Sequence, residues 1–386
     1  MPAVDVAVIG GGLVGAAIAY GLACAASPRA RIAMLDEGDT VVRAARGNFG
    51  LVWVQGKGLG MPPYALWTRR SAERWPELAA RLREDTGIDV ALAQRGGLRL
   101  CLGERELEQR RAEVARMQAE PALARVEMLD RAALASLLPG IGPDVAGASY
   151  CADDGQVDPL RLLRALHAGF RRRGGRLGTD ARVRALKRSG AGFALDTARG
   201  VLSATQVVIA AGLGSRALAG ALGMSAPVRA QRGQVVVLGR LPPFLPMPIE
   251  TLRQTPSGAL LIGDSHEPTE STRTTIGVLA HIARRALQAL PVLAQAPVLR
   301  TWAALRVLTP DGAPIYARAS AAPGAMLACC HSGVTLAAAH ALELAPQIVS
   351  GTLDPSLQPF NIDRFSAARA AASVPAAADA AGADAT

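Results

Sequence analysis

The sequence predicts a mixed α/β fold in which a nucleotide-binding part is combined with a second part built on an antiparallel sheet. Two observations predict it. Near the start of the chain, an apolar run leads into a glycine-rich turn and a helix of small residues. Later, two segments that read as strands, 228–238 and 259–262, follow each other without a helix between them. At 386 residues the chain suits one large domain or two interleaved domains with an ample core.

The first 35 residues predict a strand–helix–strand unit. Segment 4–9 is apolar except for Asp5, as expected of a buried parallel strand, 13–26 is a helix of small residues, and 31–35 is a second strand. The turn before the helix fits the pattern GxGxxG, in which glycine lets the backbone approach a pyrophosphate at the helix N-terminus. We therefore predict a Rossmann-like dinucleotide site formed by Gly10, Gly12, Leu13, Val14 and Gly15.

Asp36 and Glu37 end the second strand and narrow the choice of nucleotide. An acidic side chain at this position accepts hydrogen bonds from ribose hydroxyls and repels a 2′-phosphate. The pattern alone does not separate FAD from NAD. A nicotinamide-linked dehydrogenase would continue with a regular alternation of strands and helices, whereas this chain continues with the glycine-rich segment 46–58, RGNFGLVWVQGKG, and then long helices. We call this segment the 46–58 loop.

The rest of the chain shows helical periodicity and apolar strands in turn. Helices are predicted at 63–86, 104–118, 159–173, 274–290 and 334–350. Strands are predicted at Val183, 193–197, 205–210, 228–238 and 259–262, and the last two favour an antiparallel sheet.

Composition and charge exclude several classes of function. The net charge is +10, but 40 of the 42 basic residues are scattered arginines, which favours a solvated face over a nucleic-acid site. Five cysteines without a CxxC pair predict a reducing cytoplasm and neither a disulfide framework nor a metal site. No stretch reaches 18 uninterrupted apolar residues and no basic segment precedes the first apolar run, so we expect a cytoplasmic protein without a membrane span or signal peptide.

Several motifs, in order, resemble the FAD-dependent D-amino acid oxidase superfamily, which includes glycine oxidase and sarcosine oxidase. They are VAVIGGGLVG, AMLDEG, RGNFG, DDGQVDP, VVIAAGLGS, RGQVVVL, TPDGAPIY and CCHSGVTLA, and they span about residues 4–360. Within this superfamily, NFGLVWVQGKG and CHSGVTLAAAH are similar to the flavin subunits of bacterial opine oxidases, D-hydroxyproline dehydrogenases and hydrogen cyanide synthase.

The resemblance implies an α/β fold with an α+β substrate part. Residues 1–85, 150–222 and 300–365 would form a discontinuous, Rossmann-like FAD-binding domain. Residues 86–149 and 223–299 would form the antiparallel-sheet substrate domain, and we interpret the alanine-rich segment 366–386 as a disordered tail.

The resemblance also implies the residues that hold the cofactor, which is FAD. Besides those of the glycine turn, they are Asp36, Glu37, Arg46, Gly47, Asn48, Phe49, Gly50, Val183, Ala211, Gly212, Gly333, Val334 and Thr335. Segment 302–311, where sarcosine oxidases attach their flavin, contains no cysteine, so the resemblance implies non-covalent FAD. Cys329 and Cys330 are then interpreted as small core residues.

For the substrate, the resemblance implies a carboxylate anchor at Arg306, which matches an arginine of glycine oxidase. Trp53 and Thr335 stand where sarcosine oxidases have a cationic clamp, so that clamp is absent. His331 stands where glycine oxidase has a second arginine, and as a neutral imidazole it would exchange one hydrogen bond with the substrate. Glu250 and Thr251 are further candidates for pocket contacts. Structural roles for these side chains remain open.

The implied reaction is oxidation of the amine carbon of a D-configured or secondary amino acid by hydride transfer to the flavin. No side chain is assigned as a catalytic acid or base. The group resemblance favours cis-4-hydroxy-D-proline as substrate and redox partner subunits as electron acceptors. An opine, glycine or direct use of oxygen are the alternatives, and a flavin electron-transfer subunit with catalysis in a partner is an alternative of another class. Lys57 is a candidate for the flavin edge or for a partner surface.

Overall fold

The computed structural model describes residues 3–38, 43–120, 125–263 and 265–365. The predicted tail at 366–386 lies outside the described residues. The strands are β1 (Val4–Ile9), β2 (Ile32–Leu35), β3 (Leu51–Val52), β4 (Gly97–Leu102), β5 (Val126–Asp130), β6 (Val145–Cys151), β7 (Gly155–Gln156), β8 (Arg176–Gly178), β9 (Val183–Ser189), β10 (Gly192–Thr197), β11 (Gly200–Ile209), β12 (Arg229–Arg240), β13 (Leu252–Gln254), β14 (Ala259–Ile262), β15 (Val298–Leu308), β16 (Ile315–Arg318) and β17 (Ala325–Cys329).

Each predicted helix is present with bounds within a few residues of the prediction. The helices are α1 (Leu13–Ala25), α2 (Pro62–Thr86), α3 (Gly103–Gln118), α4 (Arg131–Leu137), α5 (Pro159–Arg172), α6 (Ser215–Gly220), α7 (Ile276–Ala289), α8 (Ala337–Ala339) and α9 (Ala345–Ser350). Two short helices, α4 and α6, were not predicted. A π-helical segment, His340–Leu344, joins α8 to α9. The final helix therefore begins at Ala337 and not at 334, because Thr335 is bonded through its hydroxyl to the 46–58 loop.

The nucleotide-binding part is built on a sheet with the order β16-β17-β11-β1-β2-β8. β1 pairs in parallel with β2 and β11, and β11 pairs in parallel with β17, as the predicted strand–helix–strand unit requires. The helix of small residues, α1, covers one side of this sheet and packs closely against the final helix. A Cβ atom placed on Gly21 would lie 2.1 Å from the carbonyl oxygen of Ala341. Small side chains in α1 therefore allow this close packing.

The predicted antiparallel sheet is confirmed, with the order β13-β14-β12-β15. Its inner face, defined by Val235, Val237, Leu261 and Trp302, packs against Phe49 of the 46–58 loop. Its outer face packs against α7 through a separate apolar cluster. Both sides of β12 are therefore buried, which explains the apolar run at residues 235–238.

A second antiparallel sheet, β4-β6-β5, adjoins the first through a bridge between Leu98 and Ile249. The division of the chain into two domains stays a prediction. β15 pairs with β12 up to Leu308, so residues 300–308, which were assigned to the nucleotide-binding part, lie in the antiparallel sheet. Among the described residues, no helix is both long enough and apolar enough to cross a membrane.

Candidate active site

The glycine turn after β1 is shaped by close backbone contacts. Gly10 has a positive φ of 110°, and a Cβ atom on it would lie 2.4 Å from the carbonyl oxygen of Ala210. A Cβ atom on Gly15 would lie 1.9 Å from the carbonyl oxygen of Gly10. Gly12 begins α1 without a side-chain cap, and the first turn of α1 has no acidic residue. The N-terminus of α1 is therefore suited to bind the pyrophosphate of a dinucleotide.

Asp36 lies at the end of β2 beside this turn. One carboxylate oxygen accepts a hydrogen bond from the backbone nitrogen of Gly11 (2.8 Å), and the other accepts one from that of Gly38 (2.9 Å). Asp36 also forms an ion pair with Arg43 (3.2 Å). Glu37 is more exposed and is paired with Arg43 and Arg182. Asp36 thus holds the glycine turn in place, and its contact with a ribose stays a prediction.

Three further segments that contain predicted cofactor residues lie near the glycine turn or Asp36. The backbone nitrogen of Ala181 donates to the carbonyl oxygen of Asp36 (2.7 Å), which brings the segment leading to Val183 beside the acidic residue. The turn 210–212, with Ala211 and Gly212, follows β11 directly. A Cβ atom on Gly333 would lie 3.5 Å from the side chains of Leu13 and Val14. The structure therefore gathers predicted cofactor residues from separate segments of the chain.

The 46–58 loop connects this cradle to the antiparallel sheet. Arg46 is exposed, whereas the carbonyl oxygen of Gly47 accepts a hydrogen bond from the indole of Trp302 (3.3 Å). The side chain of Asn48 accepts one from the backbone nitrogen of Gly50 (2.6 Å). Gly50 has a φ of 88°, and a Cβ atom there would lie 2.4 Å from the carbonyl oxygen of Val157. Another residue at position 50 would separate the loop from the segment before α5.

Thr335 and Trp53 join the loop to the start of the final helix. The backbone nitrogen of Trp53 donates to the hydroxyl of Thr335 (3.1 Å), and that hydroxyl donates to the carbonyl oxygen of Leu51 (3.3 Å). Trp53 is 6% exposed, and its indole N–H has no hydrogen-bond partner among the described residues. A buried donor left open in this way indicates a site for a ligand acceptor.

Arg306 lies on the inner face of the sheet, four residues beyond Trp302 on β15 and directed to the same side. Its guanidinium covers the backbone of Gly233, where a Cβ atom would lie 2.5 Å from Nη2. Nη1 donates to the carbonyl oxygens of Ser265 (2.7 Å) and Arg232 (3.3 Å). These contacts fix the orientation of the guanidinium on the sheet. Its role as substrate anchor stays a prediction.

His331, Cys329 and Cys330 follow at the end of β17. His331 is half buried, and its carbonyl oxygen accepts a hydrogen bond from the backbone nitrogen of Gly333 (3.0 Å). Both cysteines are buried. Burial raises the pKa of the Cys329 thiol to about 11 and that of Cys330 further above its ordinary value. Protonated, buried thiols support the interpretation of both residues as part of the core.

Glu250 and Thr251 line a cavity of about 300 Å³ between α3, β4 and α7. The carboxylate of Glu250 pairs with Nε of Arg99 (3.2 Å). The same cavity holds a bidentate pair between Arg285 and Glu106, at 2.7 and 2.8 Å. These arginines and glutamates are thus paired with each other. A direct contact of Glu250 or Thr251 with a substrate stays a prediction.

Asp154 is a buried residue for which the sequence predicts no role, although it lies in the motif DDGQVDP. It accepts hydrogen bonds from the backbone nitrogens of Val54 and Gln55 and from Nε2 of Gln55 (2.7 Å). Burial raises the pKa of Asp154 from 3.8 to about 7, against the effect of these hydrogen bonds. Asp154 therefore fixes the second half of the 46–58 loop. Its contact with Gln55 joins residues 99 positions apart, so no local pattern indicates this role.

Arg253 is a second residue that the sequence does not single out. It lies on β13, paired with Leu261 and therefore on the inner face, and is 5% exposed. Its Nε has no hydrogen-bond partner among the described residues, and burial lowers its pKa to about 10. Its guanidinium lies under Gly50. The sequence of a short strand does not show which face of the sheet its single arginine occupies. Only the pairing of β13 with β14 places Arg253 on the inner face.

Known proteins resemble the chain over almost its whole length. It is 43% identical over 371 residues to the opine oxidase B subunit of Agrobacterium tumefaciens (strain Ach5), and 42% identical over 373 residues to that of Rhizobium meliloti. In both comparisons the match covers 95% of this chain and 99% of the relative. The crystal structure of glycine oxidase from Geobacillus kaustophilus superimposes with a TM-score of 0.84 at 28% identity, over 94% of this chain and 99% of that one.

The family description FAD dependent oxidoreductase (DAO) matches residues 5–347. The residues described above fit this cofactor: the glycine turn excludes side chains, α1 begins without a side-chain cap, and the described residues leave an indole N–H of the 46–58 loop open. The predicted superfamily, the α/β fold and FAD as cofactor are therefore confirmed. The chain belongs to the DAO family of FAD-dependent oxidoreductases and is an enzyme that oxidises C–N bonds of amino compounds.

Proposed function

We propose that this chain is the flavin subunit of an enzyme that oxidises the secondary amine of an opine-type amino acid. The identity of 42% and 43% to two opine oxidase B subunits, over 95% of the chain, carries this proposal. The position of Arg306 on the inner face supports it, because an opine such as octopine presents a carboxylate next to the carbon that is oxidised. The preference for cis-4-hydroxy-D-proline stays a prediction, and the opine alternative has the stronger support.

Bound FAD supplies the acceptor for the hydride that leaves the carbon beside the nitrogen. The chain's own residues orient the substrate. Arg306 is held by the carbonyl oxygens of Ser265 and Arg232, so its planar guanidinium is oriented before a carboxylate arrives. Trp53 adds an apolar ring and an N–H donor that the described residues leave open. A substrate that binds as the neutral amine needs no protein base.

A partner subunit is part of the proposal. Both opine oxidase relatives are named as subunits, and this supports a complex in which another chain accepts the electrons. A flavin electron-transfer subunit whose catalysis lies in its partner is the alternative of another class.

Anaerobic mixing of the purified flavoprotein with candidate substrates tests the proposal. We expect octopine or nopaline to bleach the flavin faster than glycine or cis-4-hydroxy-D-proline at equal concentration. Faster bleaching with hydroxyproline would replace the opine proposal with the hydroxyproline prediction. No bleaching with any amino compound, with the flavin still reducible by dithionite, would favour the electron-transfer subunit.

A further inference from the structure

Lys57 lies in the 46–58 loop and is one of two lysines in the chain. Its backbone nitrogen donates to the carbonyl oxygen of Val54 (3.0 Å), which closes a tight turn. Gly56, at the tip of this turn, is exposed, whereas Lys57 is half buried. Because Asp154 binds the backbone nitrogens of Val54 and Gln55, the side chain of Lys57 starts from a fixed backbone.

The ammonium group of Lys57 has no matched partner in the part of the chain that the structure describes, where it forms neither an ion pair nor a hydrogen bond. Its electrostatic neighbours are Glu250, Cys330, Arg306 and Asp154, and burial holds its pKa below the ordinary value. Arg306 lies on the inner face of the sheet, and Cys330 lies in the segment before the final helix. Lys57 therefore lies within electrostatic reach of Arg306, the predicted substrate anchor.

Both neighbouring carboxylates are already engaged by other groups. Glu250 is paired with Arg99 at 3.2 Å, and the oxygens of Asp154 accept the hydrogen bonds of the loop. Arg306 lowers the pKa of Lys57 further, because two like charges repel. The positive charge of Lys57 thus lacks a matched counter-charge among the described residues, and an anionic ligand would supply it.

Trp53 gives an independent sign of a ligand on the same loop. Its indole N–H is buried and has no partner among the described residues, and the far edge of its ring packs against the backbone at Gly97. Trp53 and Lys57 are four residues apart. The loop thus presents two donors that the described part of the protein does not satisfy.

We propose that Lys57 is a second carboxylate-binding residue, so that the site takes an amine with a carboxylate on each side of the nitrogen. Arg306 holds one carboxylate from the sheet, and Lys57 holds the other from the loop. This inference rests on the proposed function and sharpens it, because N-(carboxyalkyl) amino acids have this pair of carboxylates, whereas glycine, sarcosine and hydroxyproline have one.

Two ether acids separate binding from turnover in the test. Diglycolate carries two carboxylates with an oxygen in place of the amine nitrogen, and methoxyacetate is its analogue with one carboxylate. Neither has a C–N bond to oxidise. Their dissociation constants are measured on the holoenzyme from the change in flavin absorbance and by calorimetry.

The variants are Lys57→Gln, Lys57→Arg and Lys187→Gln. Lys187 is exposed on β9 and provides a matched control. We expect Lys57→Gln to weaken diglycolate binding about 10- to 100-fold, the loss typical of one charge-assisted hydrogen bond. Methoxyacetate binding should change less than about twofold, since Arg306 alone holds its carboxylate. Lys57→Arg should restore part of the affinity for diglycolate, and Lys187→Gln should bind both acids as the parent does.

Two results would overturn the proposal. Either Lys57→Gln loses the same factor of affinity for both acids, or it loses affinity for neither while its folding and flavin content are intact. Flavin bleaching distinguishes a failure of the Lys57 proposal from a failure of the proposed function. If octopine bleaches the parent and Lys57→Gln equally well, the role of Lys57 fails and the opine proposal stands. If sarcosine bleaches the flavin and no opine does, the opine proposal fails. In that case the dissociation constants of diglycolate and methoxyacetate alone decide whether Lys57 binds a carboxylate.

Discussion

The glycine turn after β1 and the inner face of the antiparallel sheet are suited to hold their ligands by opposite means. At the glycine turn the backbone forms the site, and side chains are excluded by contacts such as the 1.9 Å between a Cβ atom on Gly15 and the carbonyl oxygen of Gly10. On the inner face, charged and aromatic side chains form the surface, and the backbone only positions them. Arg306 and Trp302 project from β15 onto this surface, and Arg253 projects from β13.

The contrast indicates which changes each region tolerates. A cofactor cradle made of backbone should fail when a side chain is added at Gly10 or Gly15, because the peptide carbonyl that it would meet cannot move aside. A surface made of long side chains fails when a charge is removed or displaced. The two regions should therefore respond to different substitutions.

Gly15→Ala should abolish FAD retention. The added methyl group would meet the carbonyl oxygen of Gly10 at 1.9 Å, so α1 must shift away from the glycine turn at a cost of about 1–3 kcal/mol or more. The flavin-to-protein ratio of the purified variant measures the effect. Gly220→Ala is the control, since a Cβ atom on Gly220 meets nothing within 4 Å. A Gly15→Ala protein with full flavin content would contradict the backbone-cradle description.

Asp154→Asn should change how stability depends on pH. The raised pKa of Asp154 means that the folded state holds a proton that the unfolded state releases. Its contribution is therefore fully present below the ordinary pKa of 3.8 and is lost as pH rises to about 7. The parent should lose about 4 kcal/mol of unfolding free energy over this window relative to Asp154→Asn. Denaturant unfolding at several pH values, on the apoprotein, measures the difference.

The same variant has a second expected effect. The amide that Asp154→Asn introduces would face Nε2 of Gln55 with a donor, where the carboxylate accepts at 2.7 Å. The side-chain amide of Gln55 cannot flip freely, because its Oε1 accepts hydrogen bonds from Arg110 and Ser149. The variant should therefore be less stable than the parent at low pH. Parallel pH profiles for the two proteins would show that the Asp154 carboxylate does not titrate in this window.

Arg306→Ala should raise KM for the amino-acid substrate by roughly 30- to 1,000-fold, which is ~2–4 kcal/mol of charge-assisted binding. Flavin content should not change, because Arg306 makes its contacts on the sheet. Steady-state kinetics with flavin quantification is the measurement. Unchanged kinetics would remove Arg306 from the site.

Gly233→Ala complements the preceding test, because it moves the guanidinium without removing its charge. The new methyl group would lie 2.5 Å from Nη2 of Arg306, and the flexible side chain must move aside. We expect kcat/KM to fall by less than in Arg306→Ala. A fall as large as that of Arg306→Ala would mean that orientation matters more than charge.

Arg253→Met should have the smallest effect and the opposite sign. Its buried guanidinium has an Nε without a partner among the described residues, so an apolar side chain of similar length should raise the unfolding free energy of the apoprotein by about 1–2 kcal/mol. Chemical denaturation of apo and holo forms measures it. A stabilised apoprotein combined with weaker FAD binding would assign Arg253 to the cofactor, and a destabilised apoprotein would mean that Arg253 has a structural partner.

The cofactor cradle could be predicted from the sequence for a physical reason. Glycine spacing, the apolar run of β1 and the acidic end of β2 are local features, and each is required by the backbone geometry of a dinucleotide site. The longer helices could also be predicted, because their periodicity is a local feature of the sequence, whereas the short helices α4 and α6 were not predicted. The start of the final helix was misplaced because Thr335 bonds with Leu51 and Trp53, a contact that no local pattern indicates.

The local sequence was thus sufficient for the α/β fold and the glycine turn, because both follow from local backbone requirements. The family was indicated by the resemblance of several motifs in order, and the match over residues 5–347 confirms it. The tertiary structure was needed to establish which charges share the site. In the structure, Arg306 lies over Gly233 and Arg253 lies on the inner face. Asp154 binds the 46–58 loop, and Lys57 lies within electrostatic reach of Arg306. These relations depend on strand register and on contacts between distant segments, and electrostatic interactions follow distance in space rather than distance along the chain.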